Sequence, residues 1–213
     1  MAITPSGGYA FEYVGGRPCL DFANTVGGMR PDRPHEHLHV YGDLLEWARG
    51  AGIVSPGQSR RLSAAAERDP SAAERVLRRA RDLREAVFHA VEAASRGAAP
   101  VEADLALLNR ALGRAMVRRR LVRREGRLAL AWPEDDLEAP LWPVAASAAD
   151  LLASPEDLER VHLCGESEAG QCSWLFLDET RAGTRRWCTM KDCGNRAKQR
   201  RYYQRHRGEA GAT

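Results

Sequence analysis

Residues 164–207 read CGESEAGQCSWLFLDETRAGTRRWCTMKDCGNRAKQRRYYQRHR. Four of the chain's five cysteines fall here: Cys164, Cys172, Cys188 and Cys193. Seven residues separate the first pair, four separate the second, and fifteen lie between the pairs. A structural zinc ion takes four soft or borderline ligands in a tetrahedron, and two ligand pairs brought together across a hairpin supply them. The spacer has the composition of that hairpin. Trp174-Leu175-Phe176-Leu177 reads as a strand, Asp178 to Thr184 holds turn formers including Gly183, and Arg185-Arg186-Trp187-Cys188 returns as a second strand. Asp192 is placed to cap a helix starting near Cys193, because its carboxylate can accept an orphan backbone N–H. The expectation is a treble-clef-like zinc finger with its last ligand in the first turn of a helix. The alternatives are two disulfides or four buried thiols. Disulfides need an oxidising compartment, and no routing signal to one is read here.

The segment after the last cysteine is basic. Lys191, Arg196, Lys198, Arg200, Arg201, Arg205 and Arg207 face only Asp192 within the run, and Arg185 and Arg186 add to them from the hairpin. Neutralising phosphates with Lys and Arg dominates nucleic-acid affinity. Arg185, Arg186, Arg196, Lys198, Arg200 and Arg201 are therefore the candidate nucleic-acid contacts, with DNA as the partner. Helical spacing puts Arg196, Arg200 and Arg207 near one face, with Arg201 and Arg205 beside it. The alternative is a solvated helix face. The net charge of +3 is mild, but from Val161 onward ten basic residues stand against six acidic ones. The patch acts locally, since four thiolates and one zinc ion add two negative charges.

These residues resemble a known family. Cys193-Gly194-Asn195-Arg196 matches the signature of the bacterial CGNR zinc fingers, and the match extends to Trp174–Asp178, Arg185–Met190 and the basic run from Ala197 to Arg201. Family members usually space the first cysteine pair by four residues. The seven here are a departure that leaves His162 as the nearest substitute for Cys164. CGNR fingers typically follow an ABATE domain carrying an LDFxNT-like stretch, and Leu20-Asp21-Phe22-Ala23-Asn24-Thr25 matches it. The resemblance implies a zinc-dependent DNA-binding module in stress-induced transcriptional regulators.

Asp21, Asn24 and Thr25 are short polar residues in an apolar segment. They read either as the lining of a small-ligand pocket or as side chains bonding nearby backbone. Cys19, remote from the other four cysteines, reads as a small core residue. His35, His37 and His39 alternate in a Pro-rich loop, which points to surface more than to a metal site.

Helical patterns follow. They are expected over Asp43–Arg49, from Ser55-Pro56 toward Arg68, from Asp69-Pro70 to Gly97, and over Val101–Met116 with Leu105, Leu108 and Leu112 inward. Arg118 to Trp132 reads as a hairpin around Glu125-Gly126, with Leu128, Leu130 and Trp132 on one face and arginines on the exposed one. Leu141–Leu152 reads as a core helix perturbed at Pro143, and Ser154-Pro155 as a capped start.

The fold class expected is α+β: a mainly helical N-terminal domain with a small β element over 1–157, a finger over 158–207, and a disordered tail over 208–213. The N-terminus lacks the features of a signal peptide. No apolar run approaches the roughly 20 residues that span a bilayer, so a cytoplasmic protein is expected. No nucleophile, base and orienter set appears, so no enzyme is expected. The function expected is zinc-dependent DNA binding in transcriptional regulation, the first domain sensing a small ligand or mediating assembly as a homodimer. The rivals are a protein-docking adaptor and an enzyme using Asp21 and Asn24.

Overall fold

The computed structural model describes residues 9–124 and 126–210. Its helical part is built around one long helix. The described residues form eight α-helices, in chain order α1 Pro18–Ala23, α2 Tyr41–Gly50, α3 Pro56–Arg68, α4 Pro70–Ser95, α5 Glu102–Arg118, α6 Trp142–Leu152, α7 Pro155–Leu158 and α8 Asn195–Ala210. Helix α4, with 26 residues, is about 39 Å long. Its buried stripe of Ala73, Val76, Leu77, Ala80, Leu83, Val87, Ala90 and Val91 recurs at three and four residues. Against it pack α1, α2, α5 and α6.

The helix boundaries follow local chemistry. Ser55 Oγ accepts the Gln58 N–H and Asp69 accepts the Ala72 N–H, and each cap precedes a proline in the first turn. Pro143 falls in the first turn of α6, where its missing N–H costs no hydrogen bond, so it does not perturb the helix interior. Helix α5 buries Leu108, Ala111 and Ala115, while Leu105 and Leu112 are only half-buried.

Among the described residues three antiparallel strand pairs complete the fold: β1 Val26–Met29 with β2 Arg33–Glu36, β3 Arg120–Arg124 with β4 Arg127–Ala131, and β5 Val161–Leu163 with β6 Leu175–Leu177. The β3–β4 ribbon faces opposite to the sequence reading. Its register pairs Leu121 with Leu130 and Arg123 with Leu128 on one face, leaving Val122, Ala129 and Ala131 on the other. The small residues turn inward, and Leu121, Leu128 and Leu130 are 64%, 67% and 57% exposed. Trp132, just past the strand, does turn in, and its indole N–H donates to the Ala115 carbonyl.

The finger is not set apart from the helices. Val161, Leu175 and Leu177 belong to the same apolar core as Phe22, Trp47, Leu83 and Trp142. A second, smaller cluster holds Trp174, Phe176 and the four cysteines. The tail expected from Gly208 is helical through Ala210, and residues 211–213 lie outside the described residues. Among the described residues no helix is long and apolar enough to cross a membrane.

Candidate metal centre

The finger starts from β6. Its strand partner is β5, ahead of the first cysteine, with Leu163 opposite Leu175 and Val161 opposite Leu177. The expected return strand over Arg185–Cys188 does not form, because Asp178 closes the intervening loop another way. Its fully buried carboxylate accepts the N–H groups of Thr180 and Arg185 at 2.8 and 2.9 Å. The chain then runs beside the first cysteine, where Gly165 N–H donates to the Arg186 carbonyl at 2.8 Å. A Cβ on Gly165 would lie 2.9 Å from that same oxygen, so the close approach requires glycine.

The long loop between Cys164 and Cys172 is wound into turns. Ser167 N–H bonds Cys164 O, Gly170 N–H bonds Ser167 O, and Gln171 N–H bonds Glu166 O, which brings Cys172 back to Cys164. Gly170 holds φ +63° there. Seven intervening residues thus deliver the pair as compactly as a short knuckle. His162, the alternative ligand, sits in β5 with its ring against Phe176, 5.8 Å between centroids.

At the far end, Thr189 and not Asp192 makes the cap, its Oγ1 accepting the Lys191 N–H at 3.0 Å. One wide turn over Met190–Gly194 then carries Cys193 into place before α8 begins. The four residues from Cys193 divide the labour. Cys193 supplies a sulfur, and Gly194 packs where a Cβ would meet the Met190 sulfur at 2.7 Å. Asn195 Nδ2 donates back to Lys191 O at 2.8 Å, and Arg196 Nη2 donates to the Cys193 sulfur at 3.1 Å.

All four Sγ atoms lie within 4.8 Å of one another, and all four residues are buried. Cys172 and Cys188 are 3.8 Å apart, Cys188 and Cys193 3.5 Å. A tetrahedral zinc ion with bonds of about 2.3 Å requires sulfurs about 3.8 Å apart, whereas a disulfide requires about 2.05 Å. None of the five cysteines is in a disulfide. Without a cation the cluster resists full ionisation: contact with the Cys164 sulfur first, with burial adding to it, holds Cys172 and Cys188 far above the usual thiol range. A dication removes that obstacle. Among the described residues no other group of three or more His, Cys, Asp or Glu converges in this way. His37, from the alternating histidines, stacks on Tyr9 instead.

The order of the two halves, helices first and cysteine site last, decides the family. A family model named ABATE, described as "Putative stress-induced transcription regulator", matches residues 16–155. The chain belongs to the ABATE family. A model of the CGNR zinc finger matches residues 160–206. No curated protein matches the chain.

The ABATE stretch Leu20–Thr25 spends its polar groups on backbone. Asp21 Oδ1 accepts the Gly15 N–H at 2.8 Å, and Thr25 Oγ1 donates to Phe22 O at 2.8 Å. Asn24, 2% exposed, reaches the finger: Nδ2 donates to Leu175 O at 2.8 Å, and Oδ1 accepts the Leu175 N–H at 3.0 Å. Its amide therefore serves β6 as one residue of a further strand would. Around it, Trp174 Nε1 donates to Val26 O, and Ser173 and Leu177 donate backbone N–H groups to Gly28 O and Gly15 O. Cys19 is fully buried in the helical core, bonded through its N–H to Ser147 Oγ. Burial pushes its thiol up to about 12.

The candidate basic residues separate into two sets. Arg185 is consumed internally: its guanidinium donates to Val14 O, Cys188 O and Trp187 O and lies 4.3 Å over the Phe176 ring. Arg200 donates both Nη atoms to Glu166 at 2.8 and 2.6 Å, and the Glu166 side chain is fully buried in the Cys164–Cys172 loop. Arg196 is occupied with Cys193. Both are tied to the finger through these bonds, although Arg200 is only half-buried and Arg196 remains exposed. Arg186, Lys198, Arg201 and Arg205 are exposed, as are Lys191 and Tyr202. Arg186 and Arg201 flank Trp187, at 5.6 and 5.9 Å from its ring.

One cluster was missed in the sequence. Arg84, 3% exposed, makes a bidentate pair with Glu36 at 2.7 Å on each oxygen and also bonds Glu85. Arg30, 8% exposed, bonds Glu85, the Ala23 carbonyl and, through its N–H, Ser173 Oγ. Burial opposes the charge on Glu36, but Arg84 holds its carboxyl below the usual range. The network ties β1–β2 to α4 and to the residue after Cys172. A signal was available: Arg84 interrupts the apolar stripe between Ala80 and Val87.

Proposed function

We propose that the protein is a zinc-dependent, DNA-binding transcription regulator, with zinc held by Cys164, Cys172, Cys188 and Cys193. The observation that carries the reading is the outward stripe of α8, which starts two residues after the last candidate ligand. Lys198, Arg201, Tyr202 and Arg205 recur at three and four residues on that stripe and have solvent in front of them. Arg186 borders it from the preceding loop. Arginine suits the task because its planar fork bridges phosphate oxygens or reads guanine. The sequence candidates Arg185, Arg196 and Arg200 act in this reading as supports that orient the stripe. Zinc fixes the first turn of α8 and so aims the stripe. The family description and the absence of a spanning helix among the described residues support a regulator working in the cytoplasm.

The ABATE part serves assembly in this reading. One small finger buries little DNA surface, and the exposed Leu121, Leu128 and Leu130 of β3–β4 offer a face on which two chains would pair. In the decisive experiment Lys198, Arg201 and Arg205 are replaced together by Ala, and duplex DNA affinity is measured against salt. The slope of log affinity against log salt should flatten by about 2.7, three phosphate contacts' worth, with zinc content unchanged. An unchanged slope refutes the reading and favours a protein-docking finger.

A further inference from the structure

The candidate metal centre has an open side. A cleft of about 630 Å³ lies between the β1–β2 hairpin and the finger. Gly27, Gly28 and His35 form one wall, and Cys172, Cys188 and Cys193 contribute to the other. Cys164 is not among the lining residues and is fully buried. The four sulfurs also differ in what supports them. Cys164 Sγ accepts the backbone N–H of Cys188 at 3.5 Å, and Cys193 Sγ accepts the Arg196 guanidinium at 3.1 Å. Among the described residues no N–H reaches the sulfur of Cys172 or Cys188.

We propose that Cys172 and Cys188 form a peroxide-sensitive thiolate pair, which hydroperoxides entering this cleft oxidise to a disulfide with release of the metal. The inference rests on the zinc reading above. Hydrogen bonds and a nearby cation withdraw charge from a thiolate and lower its nucleophilicity. Cys164 and Cys193 each carry such a hydrogen bond, and Cys172 and Cys188 do not. A hydroperoxide is neutral and small, so the dianionic floor of a zinc–thiolate centre does not repel it, and the cleft is many times its size.

The steps balance. One thiolate of the pair attacks a peroxide oxygen; the S–O bond forms as the O–O bond breaks, giving a sulfenic acid and an alkoxide or hydroxide that takes a proton from water. The second thiolate attacks that sulfur; the S–S bond forms, the S–O bond breaks and hydroxide leaves. The two thiolates lose two electrons in total, and the peroxide gains them. Their sulfurs start 3.8 Å apart and close to about 2.05 Å. Both residues sit outside helix and strand, so side-chain rotation and loop adjustment accommodate the approach. Cys164 and Cys193 alone do not retain a tetrahedral ion.

The test uses the full chain, freed of reductant, with zinc counted before treatment. Hydrogen peroxide is then titrated in while a chromogenic chelator reads metal release and peptide mass spectrometry maps the disulfide. One zinc ion should leave per chain, in step with a Cys172–Cys188 bond, and dithiothreitol with added zinc should restore the starting state. Replacing Arg196 by Met removes the shield on Cys193, so release should be severalfold faster and Cys193 should enter the disulfide mixture. Cys19→Ala should release metal at the wild-type rate. A chain with no zinc before treatment overturns the metal reading. A chain that begins with zinc and keeps it in large peroxide excess, or whose first disulfide contains Cys164 or Cys193, overturns the oxidation proposal alone.

Discussion

Replacing Asn24 by Ala should cost the protein about 3–4 kcal/mol. The amide makes two hydrogen bonds to the backbone of Leu175, at 2.8 and 3.0 Å, in a place where Leu175 is fully buried. Truncation removes both bonds and leaves one N–H and one carbonyl without a partner. Each stranded group costs about 1–3 kcal/mol. Water entering the vacated space recovers part of this, which places the sum near the middle of the range. For a chain of this size that corresponds to a melting point lowered by roughly 6–15 °C. The assay is urea unfolding of the zinc-loaded protein followed by fluorescence, since Trp47, Trp142 and Trp174 are all buried reporters. Asn24→Asp at neutral pH should cost at least as much, because it sets a carboxylate against the Leu175 carbonyl. A loss below about 1 kcal/mol for Asn24→Ala would show that β6 is satisfied without α1, and the account of the shared core would be wrong.

Adjacent arginines on α8 should behave oppositely. Arg200→Ala strands the buried Glu166 carboxylate and should lower zinc retention and thermal stability, whereas Arg201→Ala should leave both intact and flatten the DNA salt slope by about 0.9; identical behaviour of the two variants refutes the division into support and contact. Burial raises the Asp21 carboxyl to about 6 against the pull of the Gly15 N–H. The folded state therefore holds that proton more tightly than the unfolded chain, whose value is about 3.9, so the contribution is full below about pH 4 and is lost as pH rises through about 6. Asp21→Asn should gain on wild type by up to about 3 kcal/mol between about pH 4 and 7, and an advantage that does not change with pH counts against the buried carboxylate.

Much of this was legible because it is local. Ser55-Pro56 and Asp69-Pro70 announce helix starts through chemistry confined to three or four residues, and the α4 stripe repeats often enough to fix its buried face. The cluster of four cysteines was legible because few residue types can serve as soft metal ligands and these four are closely spaced. The rest depended on partners far along the chain. Nothing near Trp174–Leu177 says that its strand partner precedes Cys164, because Asp178 redirects the return segment with bonds to Thr180 and Arg185. The α8 periodicity showed which arginines share a face, but only the buried Glu166 shows that Arg200 points inward. In β3–β4 alternation was read correctly and facing was inverted, since Val122 and Ala129 fit the side that larger leucines were expected to fill.

The doubly bonded Asn24 changes what kind of object the finger is. Many small zinc modules are portable: they can be cut out, shuffled between proteins or strung in tandem, because the metal alone organises them. Severing this chain between α7 and β5 would bare Val161, Leu175 and Leu177 and strip β6 of the amide at its side. Inheritance of the two halves is then tied together. A substitution at Asn24, the residue that ends α1, is felt in the backbone of β6 some 151 positions away, and the finger cannot travel to another scaffold without carrying a substitute for that amide.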